Sequence, residues 1–159
     1  MQYISYDSCD NKESVCAEIE RLASNGLLSE EQARLVDVDK IVRFFSSPLG
    51  RKLTGSHEIL REFKFSLLCS ANEFYTDGSP EDQVLLQGVV DCAVIEDDGI
   101  TVIDFKTDRV YDNAETVLNE RYSEQIRTYG KALSRMFNKP VKELLIYSFY
   151  LSEYFCVSD

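Results

Sequence analysis

The stretch Gly88–Lys106, GVVDCAVIEDDGITVIDFK, constrains this chain more than any other. Two apolar, β-branched runs, Val89–Ile95 and Ile100–Phe105, flank the turn-forming cluster Glu96–Asp97–Asp98–Gly99, which is the pattern of a β-hairpin. Asp91, Asp104 and Lys106 interrupt this apolar context. An ionised group among core-forming residues is expensive unless it is paired, hydrogen-bonded or bound to a metal.

Register decides what the three charges can do. A two-residue loop at Asp97–Asp98 sets Asp91 opposite Asp104, whereas closure at Asp98–Gly99 sets Asp91 opposite Lys106. Both closures place all three on one sheet face, within about 5 Å across the strands or about 7 Å on the diagonal. Two repelling carboxylates at that range suit a hard divalent cation such as Mg²⁺ or Mn²⁺, with water and phosphate oxygens completing the shell. The ammonium beside them can orient an attacking water or steady charge on a phosphoryl oxygen, which is chemistry for phosphodiester hydrolysis. The same residues also admit a cross-strand ion pair at a solvated edge.

A chain of 159 residues is the length of one domain. No apolar run is long enough to span a bilayer and the start has no signal-peptide core, so no membrane is expected and the expected location is the cytoplasm. Five widely spaced cysteines without a C-x-x-C pair read as reduced thiols, which excludes an iron–sulfur cluster. The net charge of −11 predicts weak hold on nucleic acid by this chain alone; residues 1–39 supply −6 of it.

Along the chain, the spacing predicts helices over about Asn11–Ser24, after Ser29 with Ala33, Leu35 and Val36 inward, and after Asp39 with Ile41, Val42, Phe44 and Phe45, ended by Pro48–Gly50. Period-two alternation over Glu58–Leu68 predicts a strand with Ile59, Phe63, Phe65 and Leu67 on one face; Glu62, opposite, is either a further metal carboxylate or simply solvated. His57, the single histidine, is assigned no role. After the hairpin, a helix over about Ala114–Phe137 carries Leu118, Tyr122, Ile126, Tyr129, Leu133 and Met136 on one face, with Gln125 at its flank. Arg127, Lys131 and Arg135 share another face, facing either a phosphate backbone or solvent. A covered strand over Glu143–Leu151 and a short edge strand at Tyr154–Val157 follow. Helices, strand, hairpin, helix and strand make an α/β (α+β) sheet with one helical crossover.

G-V-V-D at Gly88–Asp91, D-F-K-T-D at Asp104–Asp108 and Q-x-x-x-Y at Gln125–Tyr129 together resemble the RecB-like nuclease motifs of the PD-(D/E)XK superfamily. GLLSEEQ at Gly26–Gln32, FFSSPLGRKL at Phe44–Leu53, REFKFSL at Arg61–Leu67 and LLQGVVD at Leu85–Asp91 extend the likeness to the C-terminal nuclease domains of AddA-type (RexA) helicase–nucleases. The resemblance implies a restriction-endonuclease-like core, a mixed β-sheet flanked by helices, under an N-terminal helical cap over residues 1–56, with the sheet core over 57–159. It implies that Asp91, Asp104 and the Phe105 carbonyl ligate Mg²⁺ or Mn²⁺, that Lys106 is the catalytic lysine, and that Gln125 and Tyr129 stand near the metal and the DNA.

By the same likeness the parent enzyme is an exodeoxyribonuclease in double-strand-break repair. Its partners are single DNA strands, a helicase region of the same polypeptide and an AddB-like partner protein; ATP belongs to the helicase region, since this sequence has no G-x-x-x-x-G-K-[ST]. The family's upstream G-T-x-x-H is also missing, so the chain is expected to be a fragment cut just after that histidine, with impaired metal binding and cleavage in isolation. The competing reading is a nuclease-like module that binds DNA or its partner without cutting.

Overall fold

The computed structural model describes residues 1–55, 58–73 and 76–157. His57 lies outside the described residues. One five-stranded mixed sheet, β1 (Glu58–Ser70), β2 (Gln83–Glu96), β3 (Gly99–Lys106), β4 (Val141–Ser148) and β5 (Glu153–Cys156), is ordered as in the sequence. Only β3 and β4 run parallel, because the long helix α5 (Ala114–Phe137) crosses over between them; the other neighbours are antiparallel. This is the α/β architecture that the pattern of elements predicts.

Each face of the sheet has its own core. On one face Val90, Ala93, Ile95, Ile100, Val102, Leu144 and Ile146 pack under Leu118, Ile126 and Leu133 of α5. On the other, Cys92, Val94, Ile103, Leu145 and Tyr147 meet four helices, α1 (Lys12–Ser24), α2 (Glu30–Leu35), α3 (Val38–Ser46) and α4 (Pro48–Leu53). Phe44 is fully buried at the centre of this second core, with its ring 4.7 Å from that of Tyr147. Complete burial of a side chain of this size contributes about 1.5–3 kcal/mol.

The helical caps follow local chemistry. Asn11 and Ser14 form a reciprocal capping box at the start of α1, as Ser29 and Gln32 do for α2. Asp37, not Asp39, caps α3: its carboxylate accepts from Lys40 N–H, while Asp39 sits in the first turn and pairs with Lys12. Pro48 does not end a helix but begins α4, because Ser47 closes α3 and caps α4, leaving proline at a position whose missing N–H costs nothing. Leu35 is 79% exposed, since α2 is too short to turn its last residue inward; Met136, 40% exposed, likewise lies off the buried stripe of α5.

The β1–β2 pair kinks where the site forms. Glu62 has φ 47°, left-handed backbone inside a strand, and it is skipped in a register that otherwise runs from Arg61↔Cys92 to Phe63↔Val90. Alternation inverts there. Leu60, Phe63, Phe65 and Leu67 all pack on the α5 side, whereas Ile59 packs against the opposite core instead of sharing a face with Phe63.

Candidate active site

The hairpin closes on Asp97–Asp98, with Glu96 paired to Gly99, so the first of the two registers is the one adopted. Lys142 bonds Asp98 and Glu96, and Lys52 pairs with Glu96, which anchors the acidic turn to the body. The β2–β3 ladder then ends at Cys92↔Ile103. The next position is Asp91 facing Asp104, and there the Asp91 side chain takes over from the backbone: its Oδ2 accepts from Phe105 N–H at 2.9 Å. A carboxylate is thus built into the gap opened by the kink.

Asp104 belongs to the α5 face, in step with Ile100 and Val102. It is 2% exposed, and burial, reinforced by the neighbouring Asp91 charge, pushes its carboxyl pKa up despite Lys106. Lys106 Nζ lies 2.7 Å from Asp104 Oδ2 as an ion pair, yet that buried oxygen receives no well-directed hydrogen bond. On its other side Lys106 Nζ donates to Gln125 Oε1 at 3.3 Å, and Gln125 Nε2 donates to the Tyr129 hydroxyl at 3.0 Å. Burial and the Asp104 charge raise the Tyr129 pKa. Asp91, Asp104, Phe105, Lys106, Gln125 and Tyr129 are therefore one connected constellation.

Gly88, the first residue of G-V-V-D, has a packing reason. A Cβ there would stand 2.8 Å from the Phe65 ring and 2.9 Å from the Tyr129 ring, which meet edge to face. Only hydrogen at this position lets Tyr129 lie against the sheet within reach of Gln125.

The donor set fits a hard divalent ion. A buried carboxylate oxygen without a directed hydrogen bond, beside a second carboxylate, is a destabilised anion that a cation would stabilise. Among the described residues no group of three or more His, Cys, Asp or Glu could hold a metal, so protein ligands alone do not complete a shell. Water and phosphate oxygens supply the remainder in Mg²⁺ sites of this kind.

Two residues of the constellation escape the sequence reading. Tyr122, assigned there to the core stripe, lies with its ring 4.1 Å from Lys106 Nζ, and its hydroxyl donates to Asp108. The available signal is spacing: Tyr122 stands three residues before Gln125, on adjoining helical surface. Arg127, Lys131 and Arg135 instead line a cleft of 780 Å³ between the end of α5, β4 and β5, which none of the candidate residues touches. Arg127 pairs with Glu124 and Arg135 with Glu73. No helix among the described residues is long and apolar enough to cross a membrane.

Comparison with known proteins gives a consistent result. The family model for the PD-(D/E)XK nuclease superfamily matches residues 4–153. An ATP-dependent helicase/nuclease polypeptide of the AddA type from Bacillus cytotoxicus is 39% identical over 158 aligned residues, which cover 94% of this chain and 13% of the relative. Proteins of the same description from Bacillus mycoides and Bacillus cereus (strain AH187) are 37% and 36% identical over the same span. The chain thus spans 13% of the length of these relatives.

Proposed function

This chain belongs to the PD-(D/E)XK nuclease superfamily, and on that premise we propose that it is the divalent-metal-dependent DNA nuclease domain of a bacterial AddAB-type helicase–nuclease, an exodeoxyribonuclease that processes double-strand breaks for recombinational repair. The observation that carries the reading is the pairing of Asp91 and Asp104 across the end of the β2–β3 ladder, with Lys106 2.7 Å from Asp104. Asp91, Asp104 and the Phe105 carbonyl are the proposed ligands. When bound, Mg²⁺ or Mn²⁺ supplies Lewis-acid polarisation of the scissile phosphate and a nucleophilic water at neutral pH.

The chain's own residues have distinct parts in this reading. Phe105 N–H fixes the Asp91 carboxylate. Lys106, donating to Gln125, presents an ammonium to the water or to the charge that develops on phosphorus oxygens. Tyr129 holds Gln125 from beneath and faces the DNA side of the helix.

The proposed extent is one domain, a helical cap over residues 1–56 and a sheet core over 57–159, carried in a longer polypeptide with a helicase region and an AddB-like partner that deliver single strands. Delivery by a larger assembly accommodates the net charge of −11, which alone would repel DNA. The competing reading is a module of the same fold that binds DNA or its partner and does not cut.

Cleavage of linear single-stranded DNA with Mg²⁺ or Mn²⁺ separates the two, measured on this chain alone and in a longer polypeptide carrying G-T-x-x-H upstream, each beside Asp104→Ala. Cutting by the longer protein that is lost in Asp104→Ala supports the nuclease. DNA or partner binding without cutting, in both lengths, establishes the module.

A further inference from the structure

Lysine is a compact charge on a flexible four-carbon stem, so a catalytic ammonium needs something to hold it. Lys106 Nζ has three neighbours: Asp104 Oδ2 at 2.7 Å, Gln125 Oε1 at 3.3 Å, and the Tyr122 ring, whose centroid is 4.1 Å away. The first is the carboxylate that a divalent ion also requires, so its hold on the ammonium weakens as the site fills. An aromatic face attracts a cation through its quadrupole and offers no lone pair that competes for the metal.

The ring is itself fixed. The Tyr122 hydroxyl donates to Asp108 Oδ1 at 2.8 Å, and Arg121 Nη1 stands 3.6 Å from the same oxygen, offsetting its charge. Asp108 lies two residues beyond Lys106, where β3 has ended, so one carboxylate ties the strand exit to the first half of α5. A phenol that donates to a carboxylate is polarised toward a more negative ring, which strengthens its attraction for the ammonium.

We propose that Tyr122, latched by Asp108, is a positioning residue that holds the Lys106 ammonium over its ring face and keeps it aimed into the site when Asp104 is engaged elsewhere. The geometry stands on the contacts above; what Lys106 does once positioned rests on the nuclease reading.

The test pairs a spectroscopic readout with kinetics. In protein labelled with ¹³C-lysine, the ε-methylene signal of Lys106, assigned by its loss in Lys106→Ala, is displaced upfield by the Tyr122 ring current. It stays displaced in Tyr122→Phe and returns to the position of a free lysine in Tyr122→Leu. With Mn²⁺ and single-stranded DNA, Tyr122→Leu lowers kcat about tenfold at nearly unchanged KM. Tyr122→Phe restores most of that loss, and Asp108→Asn falls between. Because Tyr122→Phe and Asp108→Asn preserve shape, a folding failure of Tyr122→Leu leaves the kinetic order of these two against wild type to decide the matter.

Full kcat in Tyr122→Leu, equal kcat in Asp108→Asn and wild type, or an undisplaced Lys106 signal in wild type overturns the proposal. A wild-type protein that shows the displaced signal and yet cuts no DNA, even in the longer polypeptide, overturns the nuclease reading while the positioning geometry holds.

Discussion

The Asp91 carboxylate occupies the place of a missing ladder bond, accepting from Phe105 N–H at 2.9 Å where β2 parts from β3. A residue proposed as a metal ligand therefore also has a structural duty, and the two duties separate by substitution. Asp91→Ala orphans a buried N–H and costs about 1–2 kcal/mol in urea unfolding. Asp91→Asn keeps an acceptor and costs less than half of that, yet Mn²⁺ binding measured by calorimetry is lost in both. Equal destabilisation by the two variants would show that the amide acceptor does not replace the carboxylate here.

Asp104 gives the opposite balance. Burial raises its pKa, so the charged form is held in the fold at a cost. Asp104→Asn is expected to be neutral or to raise stability by up to about 1 kcal/mol without metal, since Lys106 keeps Gln125 and the Tyr122 ring. Added Mg²⁺ then raises the melting temperature of the wild type and leaves that of Asp104→Asn unchanged. A rise of equal size in both would remove Asp104 from the metal site.

Some of this was legible in the sequence, and physical reasons separate the legible from the rest. The α5 bounds and the hairpin follow from local rules, a long 3.6-residue stripe and a two-acid turn between β-branched runs. The facing of Asp91 and Asp104 follows from the period of a strand once the loop length is set. The kink at Glu62 is not encoded that way, because left-handed backbone at a glutamate is imposed by tertiary packing and inverts the alternation without any glycine to announce it. The role of Tyr122 was hidden for a related reason: a tyrosine on an apolar stripe reads as core, and only the fold brings the strand-end Lys106 over its ring.

Glu62 offers a direct check on that kink. A non-glycine residue at φ 47° stores about 1 kcal/mol or more. Glu62→Gly is expected to be neutral to stabilising by up to about 1 kcal/mol. Glu62→Val, whose branched side chain resists this conformation, is expected to cost more than about 1 kcal/mol and to weaken Mn²⁺ binding, because straightening β1 closes the gap that Asp91 fills. Parallel urea titrations and metal calorimetry on the two variants measure both effects.

Gly88→Ala tests whether the site is held from beneath. The new methyl group would overlap the Phe65 and Tyr129 rings, and overpacking of this kind costs about 1–3 kcal/mol. The ring that moves carries the hydroxyl bonded to Gln125, so cleavage is expected to fall further than stability alone accounts for. Phe65→Leu in the same background makes room and restores part of both; no recovery in that double variant would place the defect elsewhere.

Glu18 carries the clearest pH dependence outside the site. It is 5% exposed, accepts from Ser5 N–H at 2.6 Å, and is held by Arg21 Nε at 2.7 Å and Nη2 at 2.6 Å. The Arg21 hydrogen bonds, ahead of the Ser5 amide, keep its carboxyl below the ordinary value against the pull of burial. An acid whose pKa is lower folded than unfolded adds stability that is complete above the unfolded value, about 4.3, and is lost as pH falls through the folded one. Arg21 is 46% exposed, so solvent screens the pair and the contribution is about 1 kcal/mol. Glu18→Gln is therefore expected to lower stability by about that amount at pH 7, with the gap from wild type narrowing steadily below pH 4 as the wild-type carboxylate takes up its proton. Urea unfolding of both proteins from pH 7 to pH 3 reads the gap directly. A gap that stays constant across that range would mean that packing or the neutral hydrogen bond from Ser5, not the charge of Glu18, ties the N-terminal segment to α1.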